Sequence, residues 1–168
     1  VWSIAAKTVT SAGLNPKLNN SVNQQRLEFM KISDIMNENC VFSCLKAGTK
    51  RQLLQELAQK SSEITGINDR TIFDALLERE NLGTTGFGGG TALPHARIED
   101  LDKIYGFFAK LNTPVAYEAI DNKAVDLVFM LLSPDSSGAD HLTALAQISR
   151  LLKDENTCEK LRNAQNSE

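Results

Sequence analysis

The sequence predicts a layered α/β domain. Three observations carry that expectation: helix-period apolar stripes in the first half of the chain, two short runs of branched and aromatic residues beyond its middle, and helical periodicity again towards the end. At 168 residues the chain is long enough for one domain to bury a sizeable core without disulfides or metal staples.

Residues 1–30 are rich in Asn, Ser, Gln and Thr and show no sustained period, so they read as a polar tail or leader. The folded domain is expected over 31–168. After "ISDIM", "CVFSCL" and the turn "KAGT", Thr49 is a suitable N-cap for a helix over 50–64 with Leu53, Leu54, Leu57, Ala58 and Ile64 on one face. Asn68 or Asp69 caps a second helix over 70–80, with Ile72, Phe73, Leu76 and Leu77 as its stripe and Arg79 in its last turn. The pattern then breaks at "NLGTTGFGGG". Strands are expected at "KIYGFFAKL" and "VDLVFMLLS", the second buried on both faces because it barely alternates. The turn "SPDSSG" hands over to a third helix from Ala139 to about Lys153, with Leu142, Leu145, Ile148, Leu151 and Leu152 inward. "ENTCEKLRNA" starts a fourth.

A net charge of −3, with 42% apolar and 23% charged residues, argues against a nucleic-acid partner, which would usually meet a basic face. No apolar run reaches the roughly 18–20 residues that cross a bilayer, and the N-terminal stretch lacks the basic start and apolar core of a secretory signal. A cytoplasmic protein without membrane insertion is the expectation. Cys40, Cys44 and Cys158 lack the spacing of a zinc set and read as reduced thiols.

Chemistry concentrates in "GFGGGTALPHARIED". Pro94 fixes its own φ and pushes Leu93 into an extended conformation, so His95 leaves a stiff segment. Gly86, Gly88, Gly89 and Gly90 permit close backbone approach, which could turn consecutive N–H groups onto one anion. A dinucleotide fingerprint fails because Thr91 stands where its third glycine is needed, and a Walker loop fails for want of a lysine after "GGG". The pattern therefore suggests a nucleophile beside a phosphate cradle. Taken singly, each residue also has an ordinary reading: a loose connection, a satisfied histidine, a solvated arginine at a helix end.

Two residues sharpen the choice. Arg79 ends the helix that leads into the glycine run, where a guanidinium could hold phosphoryl oxygens in a fork. His141, the second of two histidines, follows Asp140 in the first turn of the third helix, where the helix dipole disfavours the imidazolium.

With these residues in hand, "LLERENLGTTGFGGGTALPHARIEDL" resembles the enzyme IIA domain of mannitol, fructose and nitrogen type from the bacterial phosphoenolpyruvate phosphotransferase system, whose core reads R-E-x-x-G-S/T-T-G-x-G-x-G-x-A-x-P-H. "AIDNKAVDLVFMLLSP" and "DHLTALAQISRLL" resemble its next two blocks, in order, and the similarity covers about residues 31–165. The resemblance implies a mixed β-sheet flanked by helices on both faces. It implies a phosphocarrier in which His95 is the phosphorylated histidine, Arg79 the catalytic arginine and His141 the second active-site histidine. The nitrogen-related branch is the nearest match, with regulatory targets such as a sensor kinase or potassium transporter; a sugar-specific component that donates to a separate enzyme IIB is the alternative. The donor implied is a small histidine phosphocarrier protein, and neither metal nor nucleotide is needed.

Departures from the pattern are Gly89 for Asn or Asp, Ala96 for Gly after the histidine, and Ala124 for Pro. The chain reaches "NAQNSE" where relatives complete a last helix, so a shortened C-terminal helix is expected. Leu93, Phe87 and Leu142 are expected to form an apolar docking rim. Two other classes compete. A regulatory binding module would keep every motif. A metal hydrolase built from His95, His141, Asp140 or Glu99 lacks an H-x-H or H-E-x-x-H pair to organise its ion.

Overall fold

The computed structural model describes residues 31–164. The expected polar tail over 1–30 and the question of a shortened last helix at "NAQNSE" lie outside the described residues.

A short helix α1 (Ile32–Ile35) and a 3-10 turn (Glu38–Cys40) lead into β1 (Val41–Leu45). Helix α2 (Lys50–Thr65) starts where Thr49 Oγ1 accepts from Gln52 N–H at 3.2 Å, and it stops at Gly66 in the left-handed region. Helix α3 (Asp69–Asn81) is capped by Asn68, whose side-chain oxygen accepts from Arg70 N–H at 3.0 Å. Both caps are those expected, because a cap is a hydrogen bond between near neighbours in sequence. Leu53, Leu54, Leu57 and Ala58 are buried as expected; of the α3 stripe Ile72 and Leu76 are buried, while Phe73 and Leu77 are half-buried flanks.

The glycine-rich stretch forms an antiparallel hairpin, β2 (Gly86–Gly88) and β3 (Thr91–Ala92), and β4 (His95–Ile98) follows Pro94 directly. The two long strands are β5 (Tyr105–Val115) and β6 (Val125–Pro134). β5 runs past its expected end to Val115, and its register with β6 shifts between Lys110 and Val115, a stretch that contains Pro114, which cannot donate to the ladder. The last helices are α4 (Gly138–Lys153) and α5 (Glu155–Asn163), the second capped by Asp154 through Thr157 N–H at 3.2 Å.

One six-stranded sheet results, in the order β1-β5-β6-β3-β2, with β4 also on β6. It is mixed: β1 runs parallel to β5, β5 antiparallel to β6, and β3 and β4 both parallel to β6. Nearly every residue of β6 is buried whatever its parity, so helices cover both faces of the sheet at its centre. β3 and β4 are two pieces of one flank. The missing N–H of Pro94 interrupts the ladder, and Pro94 O takes up Leu131 N–H at 3.0 Å to carry it across the gap.

Helix α4 corrects one expectation. Its inner face is His141, Ala144, Ile148 and Leu152, and Leu142 is 64% exposed. At about 100° per residue the positions 141, 144, 148 and 152 share one face of α4, and Leu142 falls beyond its edge while His141 takes the inner place.

Candidate active site

Alternation along β4 sorts its side chains. Ala96 and Ile98 enter the core, while His95 and Arg97 share the opposite face. Parallel register sets His95 beside Leu131 and Arg97 beside Ser133, so Ser133 lies on the His95 face of the sheet. Helix α3 brings Arg79 to this face and α4 brings His141.

His95 is held at both ring nitrogens. Nδ1 lies 2.9 Å from the Leu93 carbonyl, which can only accept, so the ring proton is on Nδ1. Nε2 therefore carries the lone pair, and it accepts a hydrogen bond from Arg79 Nε–H at 2.9 Å. Burial pushes the His95 pKa below its ordinary value and the Arg79 charge adds to this, against the opposing pull of the Leu93 hydrogen bond and the Glu80 charge. The imidazole is neutral near pH 7, as a nitrogen nucleophile must be.

Arg79 is itself anchored, its Nη1 donating to Gly83 O at 3.0 Å. Behind that turn stands Glu80, which sequence reasoning missed. Its carboxylate accepts from Thr85 N–H at 2.9 Å and from the Thr85 hydroxyl at 2.5 Å, and it pairs with Lys50 Nζ at 2.7 Å. The Tyr117 hydroxyl donates to it at 3.4 Å. Burial would raise the Glu80 pKa, but the Lys50 and Thr85 donors outweigh it and hold the carboxyl below the usual range. The clasp closes the chain from Glu80 to Thr85 and so fixes the carbonyl that orients Arg79. A signal was present, since Glu80 continues the buried series Ile72, Leu76 by one further helical step.

His141 is 6% exposed, its ring centroid 5.9 Å from that of His95 and tilted by 51°. Its Nδ1 lies 2.5 Å from the Ser133 hydroxyl. Burial, then the charges of Arg97 and His95, push its pKa down to about 4. Desolvation, more than the helix dipole invoked from sequence, is what keeps it neutral.

The glycines are not brought to the histidine. Thr91 pairs with Leu127 and His95 with Leu131, a separation of about 13 Å along β6. Gly89 N–H donates to Asp121 Oδ2 at 2.9 Å, Gly86 O accepts from Ile120 N–H at 3.4 Å, and Gly90 O accepts from Asp126 N–H at 2.9 Å and Leu127 N–H at 3.1 Å. Gly88, Gly89 and Gly90 all have positive φ, which makes the hairpin turn tight. The structure thus places the glycines in a tight hairpin turn apart from His95, with the Gly89 N–H held by Asp121. Arg162 seals it from α5, gripping Asp126 at 2.7 and 2.8 Å and Gly89 O at 2.7 Å.

The expected rim also changes. Leu93 is buried, and Phe87 sits on the hairpin with Lys153 over its ring at 5.6 Å. Leu142 is exposed next to His141, and Leu82, three residues beyond Arg79, is 82% exposed. Among the described residues no three His, Cys, Asp or Glu side chains gather to hold a metal ion, and no helix is long and apolar enough to cross a membrane. The thiols of Cys40 and Cys158 are buried, which raises their pKa.

The mixed sheet thus sets a neutral imidazole against a guanidinium, with a second buried imidazole alongside. Residues 34–168 match the family described as phosphoenolpyruvate-dependent sugar phosphotransferase system, EIIA 2, and the chain belongs to that family, the enzyme IIA class of phosphotransferase-system proteins. It is 50% identical over 133 residues to the nitrogen regulatory protein of Bradyrhizobium diazoefficiens, covering 79% of this chain and 87% of that one. The crystal structure of nitrogen regulatory protein IIA-Ntr from Neisseria meningitidis superposes with a TM-score of 0.77 at 28% identity, covering 80% of this chain and 92% of that one. A complex of enzyme IIA and phosphorylated enzyme IIB of the Escherichia coli mannitol system shares the fold, with a TM-score of 0.66 at 19% identity over 78% of this chain and 90% of that one.

Proposed function

We propose that this chain is a phosphocarrier that takes a phosphoryl group on His95 Nε2 from a phosphohistidine of a small histidine phosphocarrier protein. The observation that supports the reading best is the pair of contacts on one ring: Nδ1 on Leu93 O and Nε2 facing Arg79.

In the transfer, the Nε2 lone pair forms the new N–P bond as the donor N–P bond breaks, and the donor nitrogen leaves with its electron pair. The proton stays on Nδ1, hydrogen-bonded to the Leu93 carbonyl, so phosphorylated His95 has the character of an imidazolium leaving group, suited to onward transfer. Arg79 exchanges its bond to Nε2 for bonds to the phosphoryl oxygens, and His141 stands close enough to add another. This chemistry needs positioning and charge stabilisation, which these side chains supply without a metal or nucleotide.

The acceptor is either an enzyme IIB or a regulatory target such as a sensor kinase or potassium transporter. The relative named a nitrogen regulatory protein favours the regulatory branch, and the mannitol enzyme IIA solved with phosphorylated enzyme IIB favours a IIB partner. A phosphoryl group of about −2 charge is in either case a mark that a partner can read. The same reading puts the protein in the cytoplasm, where phosphoenolpyruvate is made, with residues 31–168 as the carrier domain.

The test is intact-mass spectrometry of the chain and of His95→Ala after incubation with phosphoenolpyruvate, enzyme I and a histidine phosphocarrier protein. The expected result is an acid-labile gain of one phosphoryl group that the variant lacks. No gain by folded protein with an active donor would leave a binding module that keeps the fold alone.

A further inference from the structure

Ser133 is wholly buried on β6, and the chemistry above makes no use of it. Its hydroxyl lies 2.5 Å from His141 Nδ1. A serine hydroxyl both donates and accepts, and a buried one left with its hydrogen unpaired carries the whole desolvation penalty. Among the described residues His141 Nδ1 is the one hydrogen-bond partner found for Ser133 Oγ, and no fully buried side-chain nitrogen or oxygen lacks a partner. Were the ring proton on Nδ1, Ser133 would have to accept it, and the serine hydrogen would have no acceptor. The hydroxyl therefore donates to Nδ1, and a neutral ring then carries its proton on Nε2.

We propose that Ser133 is a positioning residue that holds His141 in the Nε2–H tautomer, making this ring a hydrogen-bond donor to a phosphoryl group on His95 and not a second acceptor of it. The functional half of the statement rests on the phosphocarrier reading; the tautomer does not. Two imidazoles 5.9 Å apart thus have opposite tautomers, each set by one oxygen. The Leu93 carbonyl draws the His95 proton to Nδ1 and frees its Nε2 lone pair. The Ser133 hydroxyl occupies the His141 Nδ1 lone pair and leaves a proton on Nε2. His141 has no unengaged lone pair with which to attack, and it keeps one donor to offer.

The experiment is nitrogen-15 NMR of the imidazole rings in the full chain near neutral pH, for the wild type, Ser133→Ala and Ser133→Thr, followed by phosphoryl uptake from the histidine phosphocarrier protein. Wild-type His141 is expected to bear its proton on Nε2. Ser133→Ala should show mixed tautomers and slow uptake about 10- to 100-fold, the range for a group that orients a functional histidine, with Ser133→Thr restoring both. A proton on Nδ1 of wild-type His141 overturns the proposal, as does a folded Ser133→Ala with wild-type tautomer and uptake. Should either variant fail to fold, the wild-type spectrum alone decides the tautomer. Absence of uptake by the wild type overturns the phosphocarrier reading, and the spectrum still judges the tautomer separately.

Discussion

Arg79 Nε donates to His95 Nε2 at 2.9 Å, on the lone pair proposed to attack phosphorus. The guanidinium thus guards the nucleophile at rest, and it must swing from nitrogen to phosphoryl oxygen when the donor arrives. Its Nη1 bond to Gly83 O keeps that movement short.

Removing Arg79 should therefore act on the rate. Arg79→Ala is expected to slow phosphorylation of His95 by about 10²- to 10³-fold, the usual loss for one preorganised charge-stabilising donor. Arg79→Lys should recover little, because an ammonium cannot bond Gly83 and the phosphoryl group through a planar fork. Rapid-quench uptake with the melting temperature as control measures this; unchanged kinetics would remove Arg79 from the mechanism.

His141 makes stability depend on pH in a stated direction. Its folded pKa of about 4 lies below the ordinary histidine value of about 6.5, so between these limits the unfolded chain binds more protons and stability falls as pH falls. The loss begins near pH 6.5, is complete near pH 4 and amounts to at most about 3 kcal/mol. Urea unfolding across this range should show the slope, and His141→Gln should make it shallower, leaving the part that the lowered His95 pKa contributes.

A related expectation concerns uptake. Because burial also lowers the His95 pKa, the acceptor ring takes up its proton at a lower pH than an ordinary histidine. Single-turnover phosphorylation with a saturating pre-phosphorylated donor should hold its rate to a lower pH than a solvent-exposed histidine would. A rate that falls with a midpoint at or above about 6.5 would contradict it.

Glu80 carries the turn behind Arg79. Glu80→Ala leaves the Thr85 N–H without its acceptor and Lys50 with only the exposed Glu118 as counter-charge, and should destabilise the fold by about 3 kcal/mol. Glu80→Gln keeps an oxygen for Thr85 but not the charge for Lys50, and about 1–3 kcal/mol is expected. Denaturant titration ranks the two. Equal small effects would show the clasp to be dispensable.

At the hairpin, adjacent glycines should respond differently. A Cβ on Gly90 would meet Arg162 Nη2 at 2.6 Å and Asp126 Oδ1 at 2.9 Å, with φ at +79°, so Gly90→Ala should cost about 1–3 kcal/mol. A Cβ on Gly89 meets nothing within 4 Å, and asparagine tolerates its left-handed φ of +62°. Gly89→Asn, which restores the residue usual in the family, should cost about 1 kcal/mol or less. Melting temperatures of the two variants give the comparison.

Legibility in the sequence followed the range of the interaction. Thr49 and Asn68 were readable as caps because their partners lie within three residues. The doubly buried β6 was readable from its apolar run over 127–132. Arg79, His95 and His141 were suggestive singly, and the resemblance to a family joined them; nothing in their spacing alone shows that β4, α3 and α4 converge. What escaped was polar chemistry inside apolar stripes. His141 outcompeted Leu142 for the inner face of α4, and Glu80 and Ser133 occupy buried positions that hydrophobic periodicity assigns to carbon. The glycine turn was misread for a further reason: its partners Asp121 and Arg162 lie 32 and 73 residues away.

That last distance bears on how the protein is made. Until α5 has left the ribosome, 73 residues after Gly89, the hairpin has no Arg162 to hold it and Asp126 no counter-charge. Vectorial synthesis gives this edge of the sheet no head start over refolding from denaturant, since the closing contact is among the most non-local in the molecule. A nascent chain stalled before Arg162 would expose β2 as an unsecured strand edge, the condition under which chains pair with one another instead of with themselves.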